Sequence, residues 1–184
     1  MEAAVEKPRR PARTAKARAV GSVSKKSGTA VSGQAQNRHQ HALSGFARMY
    51  LATPAERISL IREGVPAKAF VQTGEEMGLS KERMITLLSF PRATVNRRIK
   101  AEQPLPTEFS ERIIGLQKLV GQVEVMVAES GDPGGFNAAH WVADWLERPI
   151  AALNNAKPAE FMDTIEGQAL VASLLAKMQS GVYA

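Results

Sequence analysis

The apolar residues Phe109, Ile113, Leu116, Val120, Val123 and Val127 recur at steps of four, three, four, three and four. A stripe of that period predicts one long amphipathic helix, starting near Thr107 and stopping at Ser130-Gly131-Asp132-Pro133. No period-2 alternation marks a strand anywhere in the chain, so the fold class is all-α. The stripe has two uses: packing across its own domain, or forming a seam between two copies of the chain. Gly115 and Gly121 each cost about 1 kcal/mol of helix propensity relative to alanine, and they suit places where another helix comes close.

Shorter helices are expected on the N-terminal side. Residues turn helical from Phe46. Thr53-Pro54-Ala55-Glu56 spells a capping box, with Thr53 as N-cap, Pro54 at the first helical position and Glu56 at the third. That helix carries Ile58 and Ile61 and stops at Gly64. The next begins at Pro66, buries Phe70 and Val71, and ends near Met77 with Gly78 as its stop. Gly74 inside it weakens the pattern.

The segment that follows has the clearest mechanism. Leu79 and Met84 flank the N-cap Ser80 as a hydrophobic staple. A helix over Lys81–Leu88 is separated from one over Arg92 to about Ala101 by the short break Ser89-Phe90-Pro91. Two short helices joined by such a turn form a helix-turn-helix. On the second helix Val95 and Ile99 share an inward face, with Phe90 beneath. Asn96, Arg97 and Lys100 point the other way, flanked by Arg92 and Thr94. Arg92, Arg97, Arg98 and Lys100 give four basic residues and no acid. Asn and Arg pair bidentately with adenine and guanine edges, and cations suit a phosphate-lined groove. The candidate DNA-binding residues are therefore Ser80, Lys81, Arg92, Thr94, Asn96, Arg97, Arg98 and Lys100, with operator DNA as partner. The bland alternative is a solvated cationic face.

Charge divides unevenly. Residues 1–38 hold nine Lys/Arg against Glu2 and Glu6, a balance of +7, while the remainder carries 15 basic and 16 acidic residues. Poor in large aliphatic residues, the first 42 residues cannot bury enough surface to offset backbone entropy and are expected to be a disordered basic tail. It serves either as a salt-dependent DNA-grazing arm or as a solvated tail. Its Arg-rich start is also similar to a transit peptide, against which the two early glutamates weigh.

The absence of cysteine excludes disulfides, thiolate metal sites and a cysteine nucleophile, and three histidines give no metal cluster. No run of about 18 apolar residues exists to span a membrane. With no apolar leader at the start, the cytosol is the expected compartment. No cofactor is implied. His140 and Asp144 stand four apart on a helix, but no nucleophile completes a triad, so an enzyme is not expected.

The remaining residues, 132–184, form a second unit after 43–131. Asn137 caps a helix carrying Trp141, Val142, Trp145 and Leu146 on one stripe, ending before Pro149. Asn154-Asn155 supplies a left-handed turn. Pro158 starts a single turn through Met162. Asp163 and Glu166 are expected to cap the last helix, with Ile165, Leu170, Val171, Leu174, Leu175 and Met178 facing inward. The sequence then runs Gly181-Val182-Tyr183-Ala184, an apolar tip available to a partner.

The pattern Trp145-Leu146, Pro149, Leu153, Pro158, Glu160-Phe161-Met162, Thr164, Gly167, Val171, Leu174-Leu175, Gly181-Val182 resembles the toxin-binding domain of the Xre/ParS/MbcA antitoxins. Residues Gly78-Leu79-Ser80, Thr94-Val95-Asn96-Arg97-Arg98 and Ser110-Glu111-Arg112 are similar to the Xre-like helical domain that precedes it. The resemblance implies a type II antitoxin in a hetero-oligomer with a RES-domain toxin that consumes NAD or uses it for ADP-ribosylation. It implies that Gly181, Val182, Tyr183 and Ala184 plug the toxin's NAD pocket, with Trp145, Arg148 and Pro149 around them. It also implies autoregulation at an operator, for which a homodimer is expected. The sequence departs from the family at Asn154-Asn155, where glycines are usual, and at Pro91, where a Ser or Thr cap is usual. The alternative is a free-standing helix-turn-helix repressor, which leaves the apolar tip without a use.

Overall fold

The computed structural model describes residues 44–131 and 134–180. The basic tail and the Gly181–Ala184 tip lie outside the described residues. Among the described residues eight α-helices follow in order: α1 Gly45–Leu51, α2 Pro54–Glu63, α3 Ala67–Glu76, α4 Lys81–Leu87, α5 Arg92–Lys100, α6 Thr107–Glu129, α7 Ala138–Leu146 and α8 Ile165–Gln179. Two 3-10 turns, Ala151–Leu153 and Pro158–Phe161, lie between α7 and α8. Among the described residues there is no strand, only an isolated bridge between Pro66 and Pro104.

The long helix α6 is the pillar. Phe109, Ile113, Leu116, Val120 and Val123 of its stripe are buried, and Val127 packs on the edge of the same core. The stripe is covered by α1, α2, α7 and α8 of the same chain. It therefore packs internally, and a seam between two copies would need another surface. Both glycines of α6 mark close approaches. A Cβ at Gly121 would lie 2.0 Å from the Phe46 carbonyl oxygen of α1, and one at Gly115 would lie 1.7 Å from Gln168 Oε1 of α8.

Helix ends follow local chemistry. The Thr53–Glu56 capping box forms in full, and Gly64 ends α2 at φ 86°. Between α4 and α5 the Phe90 N–H bonds the Ile85 carbonyl and the Ser89 N–H bonds that of Thr86. Ser89 stands at φ 49° between them. This is a Schellman closure with serine in the place glycine prefers. It drops Phe90 into the core, stacked on Phe109 at 4.4 Å between ring centroids. Arg112 covers the Phe90 ring and donates to the Leu88 carbonyl at 2.9 Å. Asn154 and Asn155 adopt φ 54° and 63°, which explains how asparagines replace glycines at this turn.

Two expectations for the last helix are corrected. Its N-cap is Thr164, whose hydroxyl accepts from the Gly167 N–H at 3.0 Å, and not the pair Asp163 and Glu166. A capping box cannot form here, because a side chain at 167 would run into the Phe161 carbonyl, 2.0 Å from the Cβ position. Val171, Leu174 and Leu175 face inward as expected, but Ile165, Leu170 and Met178 are 43%, 42% and 45% exposed. The inner face is completed by the polar Gln168, which an apolar pattern does not register. Gln168 Nε2 donates to the Arg112 and Met162 carbonyls at 3.1 and 2.9 Å.

The turn at 130–131 falls where the sequence divides the chain, yet one apolar core runs through both sides of it. Val142, Trp145, Leu146, Val171 and Leu175 belong to the same cluster as Phe70, Leu88 and Val95.

Candidate functional site

The helix-turn-helix is formed by α4 and α5. Val95 is fully buried and Ile99 half-buried, which fixes the roll of α5 against the core. With 100° per residue, that roll turns Asn96, Arg97 and Lys100 outward, and all three are exposed together with Arg92. Thr94 is half-buried on one flank. Arg98 is not on this face. It lies beside Val95 on the inward flank, half-buried, and its Nη1 donates to Gln103 Oε1 at 3.3 Å. Its Nε is buried with no hydrogen-bond partner.

The N-cap of α4, Ser80, and its first residue, Lys81, complete the surface. The Ser80 hydroxyl accepts from the Arg83 N–H at 3.1 Å and so caps α4. Lys81 Nζ donates to Asn96 Oδ1 at 3.0 Å, tying the first helix to the middle of the second. That bond holds the Asn96 side chain outward and leaves its amide NH2 to donate. Pro91 offers α5 no side-chain cap, and the Thr94 and Val95 N–H groups use its carbonyl instead, at 3.0 and 3.2 Å.

On the C-terminal side, Trp145 is a core residue, 5% exposed, on the inward stripe of α7. Its ring stacks on that of Trp141 at 5.9 Å, and Trp141 meets Phe136 at 6.2 Å. Phe136 is 39% exposed, so an aromatic ladder leads from the core to the surface. Phe136 directly precedes the N-cap Asn137, and Trp141 is the fourth helical residue, which makes the pair a hydrophobic staple. That motif was legible in the sequence; its exposed end was not among the residues singled out.

Arg148 and Pro149 follow α7 and are exposed. Beside them Glu147 pairs with Arg83 of α4 and, at 3.3 Å, with Lys157. The helix-turn-helix and the C-terminal segment are thus bridged by ions as well as joined by the core. Sequence reasoning did not find this bridge, since its partners lie 64 and 10 residues apart.

Among the described residues no group of three or more His, Cys, Asp or Glu could hold a metal ion, and no helix is long and apolar enough to cross a membrane. His140 and Asp144 are exposed on α7.

A helix-turn-helix unit fused through one core to a small helical C-terminal unit is the architecture of a helix-turn-helix antitoxin. Residues 56–118 match the antitoxin Xre-like helix-turn-helix domain, and residues 135–181 match the antitoxin Xre/MbcA/ParS C-terminal toxin-binding domain. The chain is 42% identical over 139 residues to the Prs ADP-ribosylating antitoxin of Sphingobium sp. (strain YBL2), a span of 76% of this chain and 87% of that relative. The chain belongs to the Xre/MbcA/ParS antitoxin family, and a toxin is its partner.

Proposed function

We propose that this antitoxin neutralises a RES-domain toxin that consumes NAD or transfers its ADP-ribose, in the cytosol and by binding alone. Residues Gly181–Ala184 enter the NAD pocket, and the exposed Arg148 and Pro149 contact its rim. Trp145 acts from within, as the support on which Trp141 and Phe136 stack. The observation that carries the reading is the match of residues 135–181 to a toxin-binding domain, in a chain similar to an antitoxin whose name refers to ADP-ribosylation. The mechanism is steric: Val182 and Tyr183 bring apolar area to a preformed pocket and occupy space that NAD otherwise holds.

The same chain binds its operator as a homodimer through Arg92, Asn96, Arg97 and Lys100, with Lys81 orienting Asn96 and Ser80 capping the helix that carries Lys81. Dimers of helix-turn-helix proteins read two half-sites about one helical turn apart, so two copies are required for a palindromic operator.

Co-expression with the product of the neighbouring reading frame, followed by an NAD-consumption assay, tests the toxin reading. The full chain should silence NAD loss. A chain ending at Ser180 should still capture the toxin but inhibit it poorly. Equal loss of capture and inhibition, or of neither, rejects the plug. A neighbour that neither binds nor consumes NAD leaves a free-standing repressor.

A further inference from the structure

Asn96 stands in the middle of the exposed face of α5, one helical turn from Arg92 on one side and from Lys100 on the other. An asparagine amide carries one acceptor, Oδ1, and two donors on Nδ2. Lys81 Nζ donates to Oδ1 at 3.0 Å. An ammonium has no acceptor and cannot donate to an NH2 group, so this contact also fixes which end of the amide faces Lys81. What remains for a ligand is the Nδ2 hydrogens and, beside them, the ammonium hydrogens that Asn96 does not use.

Helix stability does not account for Lys81. It is the first residue of α4, where a cation opposes the helix dipole. Its ion pair with Glu82 spans 3.8 Å, beyond hydrogen-bond distance, and the two side chains are 38% and 54% exposed. A pair so exposed contributes little. The closer polar contact of Lys81 is the one it makes to Asn96, on the other helix of the motif.

We infer that Lys81 and Asn96 act together as a donor-only reader that selects guanine at one base pair of the operator. An asparagine that reads adenine needs both ends of its amide: Nδ2 donates to N7 while Oδ1 accepts from the N6 amino group. Here Oδ1 is turned towards a cation, and an adenine N6 amino group would meet the ammonium, donor against donor. Guanine presents two acceptors side by side in the major groove, N7 and O6. The Asn96 amide supplies a donor to one and the Lys81 ammonium a donor to the other. Lys81 is thereby a specificity-determining residue, beyond any part its charge plays against phosphate. The inference rests on the operator reading above and names a base that reading leaves open.

Selection of the full chain's targets from a pool of randomised duplexes, read by sequencing, provides the test, with circular dichroism melts to verify folding. Wild type should enrich a sequence, and Asn96→Ala should erase the preference at one base pair of it, which locates the contact. At that pair wild type should favour guanine over adenine by at least about fivefold, the low end for one bidentate base contact. Lys81→Met keeps an unbranched stem but frees Oδ1, so it should lower the guanine-to-adenine ratio there by at least about fivefold and leave the other positions as they were. Adenine preferred by wild type at that pair, or a preference that Asn96→Ala leaves intact throughout, overturns the proposal while the operator reading stands. So does a Lys81→Met variant that binds more weakly with its ratio unchanged, which would make Lys81 a phosphate contact only. A wild-type chain that enriches no sequence overturns both readings.

Discussion

Gly121 in the long helix lies directly under the Phe46 carbonyl of α1: a Cβ at residue 121 would stand 2.0 Å from that oxygen and 2.9 Å from Tyr50 Cβ. Gly121→Ala therefore opposes two effects. Helix propensity gains about 1 kcal/mol, while overpacking costs about 1–3 kcal/mol. The obstacle is a backbone carbonyl, which cannot swing aside as a flexible side chain does, so the cost lies at the upper end. Net destabilisation of about 2 kcal/mol is expected, a fall in Tm of roughly 4–8 °C. A thermal melt that rises instead would show that α1 does not seat on α6 at this residue.

The capping box of α2 makes a prediction about pH. The Glu56 carboxylate accepts from the Thr53 N–H at 2.7 Å and from its hydroxyl at 2.9 Å. These bonds, the backbone one first, hold the carboxyl below its ordinary value of 4.5. A carboxylate lowered in the folded state stabilises above its unfolded value, and the contribution disappears as pH falls through the folded one. The difference in Tm between wild type and Glu56→Ala should be positive at neutral pH, shrink below pH 4.5 and vanish at still lower pH. A difference that is constant across the range would assign the effect to helix propensity alone.

Ser89 closes the turn of the helix-turn-helix at φ 49°, a conformation that disfavours side chains with a Cβ. Ser89→Gly should remove that strain while adding unfolded-state entropy, for a net gain of up to about 1 kcal/mol. Because the same two backbone bonds are kept, the gain should appear in urea unfolding with no change in DNA affinity. Lower stability would mean that the serine makes a contribution the turn geometry does not account for.

Which parts of this molecule the sequence discloses follows from the range of the interactions. Thr53, Ser80 and Asn137 cap their helices as read, because a cap involves only the next three residues. The α6 stripe was equally legible, but its partner was not, since a period cannot distinguish a helix of the same chain from one of another copy. The last helix fails for a related reason. Its inner face includes Gly167 and Gln168, polar or small residues whose burial depends on carbonyls 6 and 56 residues away. Counting apolar residues alone misplaced Ile165, Leu170 and Met178. Trp145 was singled out through family resemblance, and only the packing separates it as a support from Trp141 and Phe136 at the surface.

Arg97 and Arg98 are neighbours in sequence and opposites in structure, and together they test the DNA surface. Arg97 is exposed beside Asn96 and Lys100, while Arg98 is half-buried and donates to Gln103. Arg97→Ala should leave the melt unchanged and weaken operator binding by about 1–3 kcal/mol if the side chain reads a base edge, with relaxed preference at that base pair. If Arg97 grips phosphate instead, binding falls uniformly across sequences and the salt slope drops by about one. Arg98→Ala should do the reverse: lower Tm through lost packing of its aliphatic stem, with operator affinity close to wild type below that Tm. Fluorescence anisotropy on operator and scrambled duplexes at two salt concentrations, beside thermal melts, separates the cases. Equal loss of DNA binding in both variants with unchanged melts would place Arg98 on the DNA face and refute the roll of α5 described above.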